Sequence, residues 1–340
     1  MNVETRFGII GAGFIANVFT ESARDTGAAP VAVASRHQRR AAEFADNHGG
    51  LRVFQSWSDL VTSDDIDAVY VATPTSVRED ICLAAATHGK HVLAEKPFAS
   101  LESLRRITAA CHANGVAFMD ATHFVHHPRT VQLKRELAER IGEVQGVYTS
   151  FFFPSMDRSN IRFDPQKEPT GAFGDMAWYS MRAVVEFAAA ETHLVSGSGF
   201  IQSDELTGAC VRSAGVLSLS DGCTSTWDVG YSVGTCVMDL NIYGQKGMIS
   251  VDDFVLDWAG GFGRNVPGYP VGFIQRSGLA NPTEFEEIIT PAQRPQLVQM
   301  IQTFVEMTRD PKGKAVRASM RVSERTQSLL DAVWSRLTRI

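Results

Sequence analysis

Apolar and polar residues alternate along the first 120 residues in a pattern that predicts strands followed by helices. Five short apolar runs predict buried strands, at residues 7–10, 31–34, 68–72, 91–94 and 116–119. The segments between them have helical periodicity, as at residues 76–88 and 101–114, and Asn114-Gly115 is a typical helix end. Strands that alternate with helices form βαβ units around a parallel sheet, so this part predicts a doubly wound α/β domain.

From about residue 145 onward the pattern changes to longer strands joined by turn residues such as Asp221-Gly222 and Gly244. Strands are predicted at residues 144–153, 211–219, 223–231, 236–243 and 248–251. Helices are predicted at residues 175–190, 293–308 and 321–338, and a Gly- and Pro-rich loop at 260–270. This part predicts an α+β domain with an open, mainly antiparallel sheet. We therefore expect two domains, residues 1–122 and residues 123–340.

Composition narrows the class of partner. The chain has 340 residues, 44% hydrophobic and 21% charged, which is typical of a globular protein. Its net charge of −6 disfavours nucleic acid, because phosphate backbones bind basic surfaces. No apolar stretch reaches the roughly 20 residues of a membrane span, and the N-terminus lacks the pattern of a signal peptide. The five cysteines lack a C-x-x-C pair, which favours free thiols in a reducing cytoplasm.

A glycine-rich turn, G-A-G-F-I-A at residues 11–16, follows directly on the first predicted strand. In such a turn Gly11 permits the tight bend, Gly13 lets the backbone approach a pyrophosphate, and Ala16 allows close helix–strand packing. Phe14 and Ile15 open the helix, whose free N–H groups favour phosphate. A glycine turn can also be purely structural. Its place on the first strand of a βαβ unit favours a Rossmann dinucleotide-binding domain.

The end of the second strand carries Ser35 and Arg36, where NAD-specific sites hold an acidic residue. Arg39 and Arg40 follow, and no carboxylate comes until Glu43. A hydroxyl and a guanidinium suit the 2′-phosphate of NADP(H). The alternative is that these arginines only form the solvated start of a helix. We predict that NADP(H) is preferred and that NAD(H) is the second choice.

Glu95-Lys96-Pro97 follow the strand at residues 91–94. Because the carboxyl ends of parallel strands face the ligand crevice, Lys96 is expected to point at the cofactor. Pro97 ends the strand. The alternative is an ordinary surface lysine.

Asp175 and Tyr179 are four residues apart in a predicted helix and therefore share a face. A carboxylate and a phenol presented together suit the binding of sugar hydroxyls and proton transfer. The alternative is an aspartate that caps the helix, followed by a half-buried tyrosine.

The segment from His123 to Arg129 contains histidines at positions 123, 126 and 127. Their spacing is compatible with a metal, but no carboxylate or cysteine signature accompanies them. We predict no metal site. We expect the segment to line the substrate, with His123 and Arg129 available to its polar groups.

Together these motifs resemble the glucose–fructose oxidoreductase, inositol dehydrogenase and rhizopine-catabolism family (Gfo/Idh/MocA) over nearly the whole chain. The motifs are the glycine turn, Ser35-Arg36, Ala72-Thr73-Pro74-Thr75-Ser76, Glu95-Lys96-Pro97, and Gly171-x-x-Gly174-Asp175-x-x-x-Tyr179. The resemblance implies a Rossmann domain followed by an open-sheet domain for substrate and oligomer contacts. It also implies cofactor contacts by Thr73, Pro74 and Thr75. The catalytic positions that it implies are Lys96, Asp175 and Tyr179.

Two positions depart from the commonest family pattern. Tyr179 stands where many members have histidine, which is similar to the sugar ketoreductases and dihydrodiol dehydrogenases of the family. The Trp178-Tyr179 pair also resembles these members, which makes Trp178 a candidate substrate contact. Thr75 and Arg78 replace an Asn-x-x-His pattern after Pro74, so the usual histidine near the nicotinamide is missing.

We therefore expect hydride transfer between nicotinamide and a carbonyl or secondary alcohol of a sugar or sugar-like cyclic polyol. Tyr179 would be the general acid and base, Lys96 the cation that lowers its pKa, and Asp175 the residue that positions Lys96 or a substrate hydroxyl. An NAD-dependent glycosidase on the same fold and a non-enzymatic dinucleotide or sugar sensor are the alternatives. A homodimer or homotetramer is expected, because sheet residues would need cover: Val229, Tyr231 and Val237.

Overall fold

The computed structural model describes residues 4–24, 26–256, 266, 268–279 and 281–340, which fall into two compact units. The first unit comprises the described residues up to His126 together with Arg294–Glu324. The second comprises the remaining described residues. This division differs from the predicted one, which placed everything after residue 122 in the second domain. The loop predicted at residues 260–270 lies mostly outside the described residues.

The first unit is built on a parallel sheet, as predicted. Its described strands are β1 (Thr5–Ile10), β2 (Ala28–Ala34), β3 (Arg52–Phe54), β4 (Ala68–Val71), β5 (His91–Ala94) and β6 (Phe118–Asp120). Its helices include α1 (Phe14–Ser22), α2 (Gln38–Asn47), α3 (Trp57–Val61), α4 (Thr75–Thr87) and α5 (Leu101–Asn114). The strand order β3-β2-β1-β4-β5-β6 reverses between β1 and β4. Ligands of doubly wound sheets bind at such a switch point.

The second unit contains an open sheet, and its mainly antiparallel character is confirmed. The strands are β7 (Val144–Phe152), β8 (Leu194–Ser203), β9 (Cys210–Leu219), β10 (Thr224–Gly230), β11 (Val237–Gly244), β12 (Gly247–Val251), β13 (Gly272–Ser277), β14 (Glu286–Ile289) and β15 (Leu337–Arg339). Their order in the sheet is β14-β13-β12-β11-β7-β10-β9-β8-β15. Among these described strands, only the β7–β10 and β8–β15 pairs are parallel. The unit also holds α6 (Pro128–Ile141) and α7 (Trp178–Phe187).

Alternating burial along β10 identifies the inner face of this sheet. Trp227 and Val229 are buried, whereas Thr226 before them and Asp228 between them are partly exposed. Val229 and Tyr231, which we expected to need cover from another subunit, are thus part of the unit's own core. Val237 is half-buried. The prediction was wrong for the first two because strand periodicity alone does not show which face is inward.

Both C-terminal helices were predicted, but the first of them belongs to the first unit and not to the predicted second domain. Met300 and Phe304 of α8 (Gln296–Arg309) are fully buried in the first unit, where the Phe304 ring lies 5.9 Å from that of Phe7. Helical periodicity predicted the helix but does not identify the surface that receives its apolar face. The last helix, α9 (Lys314–Trp334), begins seven residues before the predicted start at 321. None of the described helices is long and apolar enough to cross a membrane.

Candidate active site

The glycine turn lies at the switch point of the first unit, between β1 and α1. Gly11 has a φ of +108°, and a Cβ there would lie 2.4 Å from the carbonyl oxygen of Ala72, so only glycine fits. A Cβ on Gly13 would meet no described atom within 4 Å. No described side chain caps the N-terminus of α1, which begins at Phe14. Open space beside uncapped N–H groups fits a pyrophosphate.

The loop after β2 presents one exposed cation. The Arg36 side chain is exposed, and its Nη2 lies 3.4 Å from Nε2 of His37. Arg39, by contrast, pairs with Glu43 of the same helix at 2.8 Å. The side chain of Gln38 donates to the carbonyl oxygen of Gln55 at 2.7 Å and anchors the loop. Arg36 is therefore the arginine of this loop best able to meet a ligand phosphate.

Lys96 follows β5 in a loop fixed by its neighbours. The Tyr70 hydroxyl donates to Oε1 of Glu95 at 2.5 Å, and the Lys96–Pro97 peptide bond is cis. Burial raises the pKa of Glu95, while the neighbouring charge of Lys96 and the hydrogen bond from Tyr70 oppose that rise. The Glu95 carboxylate is thus held beside the candidate catalytic lysine.

The loop after β4 is joined to the Lys96 loop by Arg78, which is buried near the start of α4. Its guanidinium donates to the carbonyl oxygen of Thr73 at 2.5 Å and to that of Pro97. It also donates to Oγ1 of Thr75 at 3.3 Å. The sequence drew attention to Arg78 only as a departure from a family pattern and gave no sign of these contacts.

Asp175 lies in a π-helical turn, Phe173–Ala177, that leads into α7. The alternative of an aspartate that caps the helix is therefore wrong, because Asp175 lies inside the helical turn and Ala172 is at its N-cap. Its Oδ2 accepts hydrogen bonds from Nε of Arg162 at 2.7 Å and from the hydroxyl of Tyr231 at 3.0 Å. The Asp175 carboxylate raises the pKa of Arg162. The pKa of Tyr231 is raised mainly by burial and further by the same carboxylate. Both partners thus stay protonated as donors.

Tyr179 lies in the first turn of α7 and is 6% exposed. Its ring meets that of Phe151 edge-on, with centroids 5.6 Å apart. Trp178 is fully buried in the same unit. Burial removes Trp178 from the candidate substrate contacts and gives it a packing role instead.

The segment from His123 to Arg129 is also buried. Nδ1 of His123 lies 3.0 Å from Nε2 of Gln296 within the first unit. In the second unit, Arg129 donates to Oδ1 of Asp253 at 2.5 Å and to its carbonyl oxygen at 3.1 Å. With its side chain only 2% exposed and paired with Asp253, this arginine is not offered to a substrate. Within the described part of the chain, no group of three or more potential ligands could hold a metal.

The partners of Asp175 are not evident from the sequence. Arg162 lies in a short 3-10 helix, Ile161–Phe163, and Tyr231 follows β10, so nothing in their spacing links them to Asp175. Tyr231 was interpreted only as an apolar sheet residue.

An open glycine turn at the switch point of a Rossmann sheet, with a lysine loop on a neighbouring strand, defines a dinucleotide-binding oxidoreductase. The model of the oxidoreductase family with NAD-binding Rossmann fold (GFO_IDH_MocA) matches residues 5–122. The model of the GFO/IDH/MocA C-terminal domain matches residues 131–250. The chain belongs to this family, which confirms the resemblance found in the sequence.

Relatives of known activity include sugar and polyol dehydrogenases. The chain is 33% identical to the NADP(+) scyllo-inositol 2-dehydrogenase IolU of Bacillus subtilis (strain 168), over 73% of this chain and 76% of that protein. It is 30% identical to an NADP(+) D-xylose 1-dehydrogenase of Haloferax volcanii, over 64% and 67%. The 3-ketoreductase KijD10 of Actinomadura kijaniata, in complex with NADP and TDP-benzene, has a similar structure. Its TM-score is 0.86, with 25% identity and 99% of each chain covered.

Proposed function

We propose that this chain is an NADP(H)-dependent oxidoreductase that transfers a hydride between nicotinamide and a carbonyl or secondary alcohol of a sugar or sugar-like cyclic polyol. The observation that carries the proposal is the open glycine turn, with space over Gly13 and an exposed Arg36 where NAD-specific sites hold an acid. The NADP-dependent relatives that act on inositol and xylose support the same cofactor and substrate class.

The first unit would hold the cofactor. Gly13 and the amides of Phe14 and Ile15 would bind the pyrophosphate, and Ser35 with Arg36 would bind the 2′-phosphate. The loops after β4 and β5 would hold the nicotinamide end; their residues are Thr73, Pro74, Thr75, Glu95, Lys96 and Pro97. When bound, the nicotinamide supplies the hydride-transfer chemistry.

The proton would move through Tyr179. A phenol has an ordinary pKa of about 10, so proton transfer near neutral pH needs a nearby cation, and we assign that part to Lys96. We propose that Lys96 also donates a hydrogen bond to the reacting oxygen of the substrate. Asp175 would accept a hydrogen bond from a substrate hydroxyl, because Arg162 and Tyr231 already fix its orientation.

The substrate-binding set is smaller than expected from sequence. Lys96, Asp175 and Tyr179 stay in it. His123 stays a candidate, and its Nδ1 lies 3.0 Å from Nε2 of Gln296. Arg129 and Trp178 are withdrawn because they are buried in their own unit.

A turnover assay tests this function. Purified protein is incubated with NADP(+) or NADPH and a panel of inositols, aldoses, ketosugars and cyclic diols, and NADPH absorbance is recorded. We expect net turnover of at least one polyol or ketosugar, and faster turnover with NADP(H) than with NAD(H). A glycosidase would instead keep its cofactor through purification and cleave glycosides without net absorbance change. A sensor would bind NADPH and turn over nothing.

We further propose a cytoplasmic homodimer or homotetramer. Four cysteines have free, buried thiols, as expected in a reducing compartment: Cys82, Cys111, Cys210 and Cys223. The outer face of the second unit's sheet has partly exposed aromatic rings, such as the Tyr148–Tyr243 pair with centroids 4.9 Å apart. Light scattering that gave the single-chain mass of 37.2 kDa at micromolar concentration would contradict the assembly.

A further inference from the structure

Arg78 is a buried arginine without a carboxylate partner among the described residues. Its hydrogen bonds go instead to two backbone carbonyl oxygens and one hydroxyl, those of Thr73, Pro97 and Thr75. Its Nε and the Oγ1 of Thr73 are buried with no hydrogen-bond partner. A buried cation that is only partly satisfied is costly, and such groups are found where function requires them.

The two carbonyl groups belong to loops that follow neighbouring strands. Thr73 comes after β4 and Pro97 after β5, and these strands are paired in register from Ala68 with His91 to Val71 with Ala94. A guanidinium is planar and presents its N–H donors in a fixed fork. Because one rigid group binds both carbonyls, it sets the separation of the two loops beyond the ends of their strands.

Lys96 immediately precedes Pro97, so a contact that fixes the Pro97 carbonyl also restricts the backbone from which the lysine side chain extends. Arg78 has a second effect, since its charge is among the influences that oppose the rise in the pKa of Glu95 caused by burial. It therefore favours the ionised carboxylate beside Lys96.

We propose that Arg78 is a positioning residue, which ties the Thr73–Thr75 loop to the Lys96–Pro97 loop and so presents Lys96 to the reacting oxygen. The inference deepens the proposed function and rests on it. The competing explanation is that Arg78 only stabilises the Rossmann unit.

The kinetic test uses Arg78→Met, which keeps the length of the side chain and removes its donors. The matched control is Arg106→Met. Arg106 of α5 bonds to Glu79, the residue after Arg78 in α4, and this pair is exposed, with Arg106 Nη2 and Glu79 Oε2 3.0 Å apart. We expect kcat to fall roughly 10- to 100-fold in Arg78→Met, since a small misplacement of a catalytic group has effects of that order. The kinetic isotope effect with 4-deuterated NADPH should rise, because hydride transfer becomes rate-limiting. NADPH affinity should fall by a smaller factor than kcat, because the two loops hold only the nicotinamide end and the phosphate contacts remain.

Arg78→Lys separates charge from geometry. It keeps the positive charge, but one ammonium is a point donor that cannot hold two carbonyls as a planar fork does. We expect Arg78→Lys to recover thermal stability and not kcat. Full recovery of kcat by lysine would overturn the proposal, as would a kcat in Arg78→Met that falls only in proportion to the folded fraction.

Hydrogen exchange distinguishes failure of this inference from failure of the proposed function. With NADP(+) bound, peptides covering residues 72–75 and 94–98 should exchange faster in Arg78→Met than in the wild type and Arg106→Met. Unchanged exchange in both peptides overturns the tie between the loops, whatever the substrate is. Faster exchange in a protein whose wild type turns over no sugar or polyol supports the tie and overturns the proposed function.

Discussion

The two units hold their candidate site residues in different ways. In the first unit, the groups that would meet a ligand are open: space over Gly13, uncapped amides at the start of α1, and an exposed Arg36. In the second unit, the candidate carboxylate of Asp175 is already bound by Arg162 and Tyr231. The first arrangement suits a cofactor with fixed phosphates, and the second holds one candidate catalytic group in a preset orientation before substrate arrives.

This difference predicts that substitutions in the first unit change cofactor affinity, whereas those in the second change kcat. Lys96 and Arg78 are the exceptions, because they lie in the first unit and are assigned a catalytic and a positioning part. Substitutions that separate affinity from turnover therefore test the comparison directly.

The largest effects on kcat are expected at Tyr179 and Lys96. Tyr179→Phe removes the hydroxyl and should lower kcat by roughly 10²–10⁴-fold, the usual contribution of general acid–base catalysis, with little change in NADPH affinity. The control is Tyr148→Phe, since Tyr148 is half-buried on the outer face of the sheet and, among the described residues, its hydroxyl bonds to Oγ1 of Thr224 at 3.1 Å. Near-normal turnover in Tyr179→Phe would move the proton-transfer role elsewhere, with His123 the next candidate.

Lys96→Met should cost at least as much as Tyr179→Phe, because it removes both a charge and a hydrogen bond. Groups that act as a unit give non-additive effects, so the double variant should be scarcely slower than the slower single variant. Additive losses would mean that the two residues act independently. Steady-state kinetics of the three variants on one substrate decides between these outcomes.

The next largest effect is expected at Arg36, in cofactor affinity. Hydrogen bonds to charged groups contribute about 1.5–3 kcal/mol, so Arg36→Ala should weaken NADPH binding by roughly 10- to 100-fold and leave NADH binding nearly unchanged. Arg39→Ala is the control, because Arg39 is engaged with Glu43. Equal wild-type affinities for NADPH and NADH, measured by fluorescence titration, would contradict the assignment of the 2′-phosphate site.

Substitution of Arg162 is expected to lower kcat less than substitution of Tyr179 or Lys96, and to leave cofactor affinity unchanged. Arg162→Met leaves Asp175 with the Tyr231 hydroxyl and without its charged donor, so kcat should fall by roughly tenfold. Arg158→Met is a closely matched control, since the Arg158–Asp204 pair has the same 2.7 Å separation and similar arginine exposure, 47% against 43%. If both variants lose stability and kcat equally, the Arg162 contact is only structural.

Most of the first unit could be predicted from the sequence, because its candidate cofactor site is formed by the backbone of a local glycine motif. Gly11 and Gly13 are visible as a motif, and their positions on the structure follow from the requirement for a tight turn and an open approach. The short strand β3 was missed because it has three residues, one of them the exposed Arg52.

The second unit was less predictable because its site depends on side chains that are distant in sequence. Arg162, Asp175 and Tyr231 come together only through folding of the sheet, and no local pattern connects them. The π-helical turn at Phe173–Ala177 was likewise hidden, since its residues fit ordinary helical periodicity. Arg129 shows the opposite error: a polar residue next to candidate site residues proved to be a buried ion-pair partner.

The smallest effect, on stability in mild acid, extends the comparison between the units. Burial lowers the pKa of His91 in the first unit, and its Nδ1 accepts a hydrogen bond from the backbone N–H of Ala117 at 2.9 Å. The folded state then binds fewer protons than the unfolded state, whose histidine pKa is 6.5. Stability from His91 is present above that pH and is lost as the pH falls through it.

In the second unit, the Arg158 hydrogen bond lowers the pKa of Asp204 from 3.8 to about 2, so the stability from that pair is lost only as the pH falls from 3.8 toward 2. Between about pH 7 and pH 5 we therefore expect amide exchange, after correction for its intrinsic pH dependence, to rise in the first unit more than in the second. His91→Asn, which keeps an acceptor near the position of Nδ1 and does not titrate, should reduce that rise around Ala117. Earlier opening of the second unit in mild acid would show that other groups control its stability and would contradict the proposed difference.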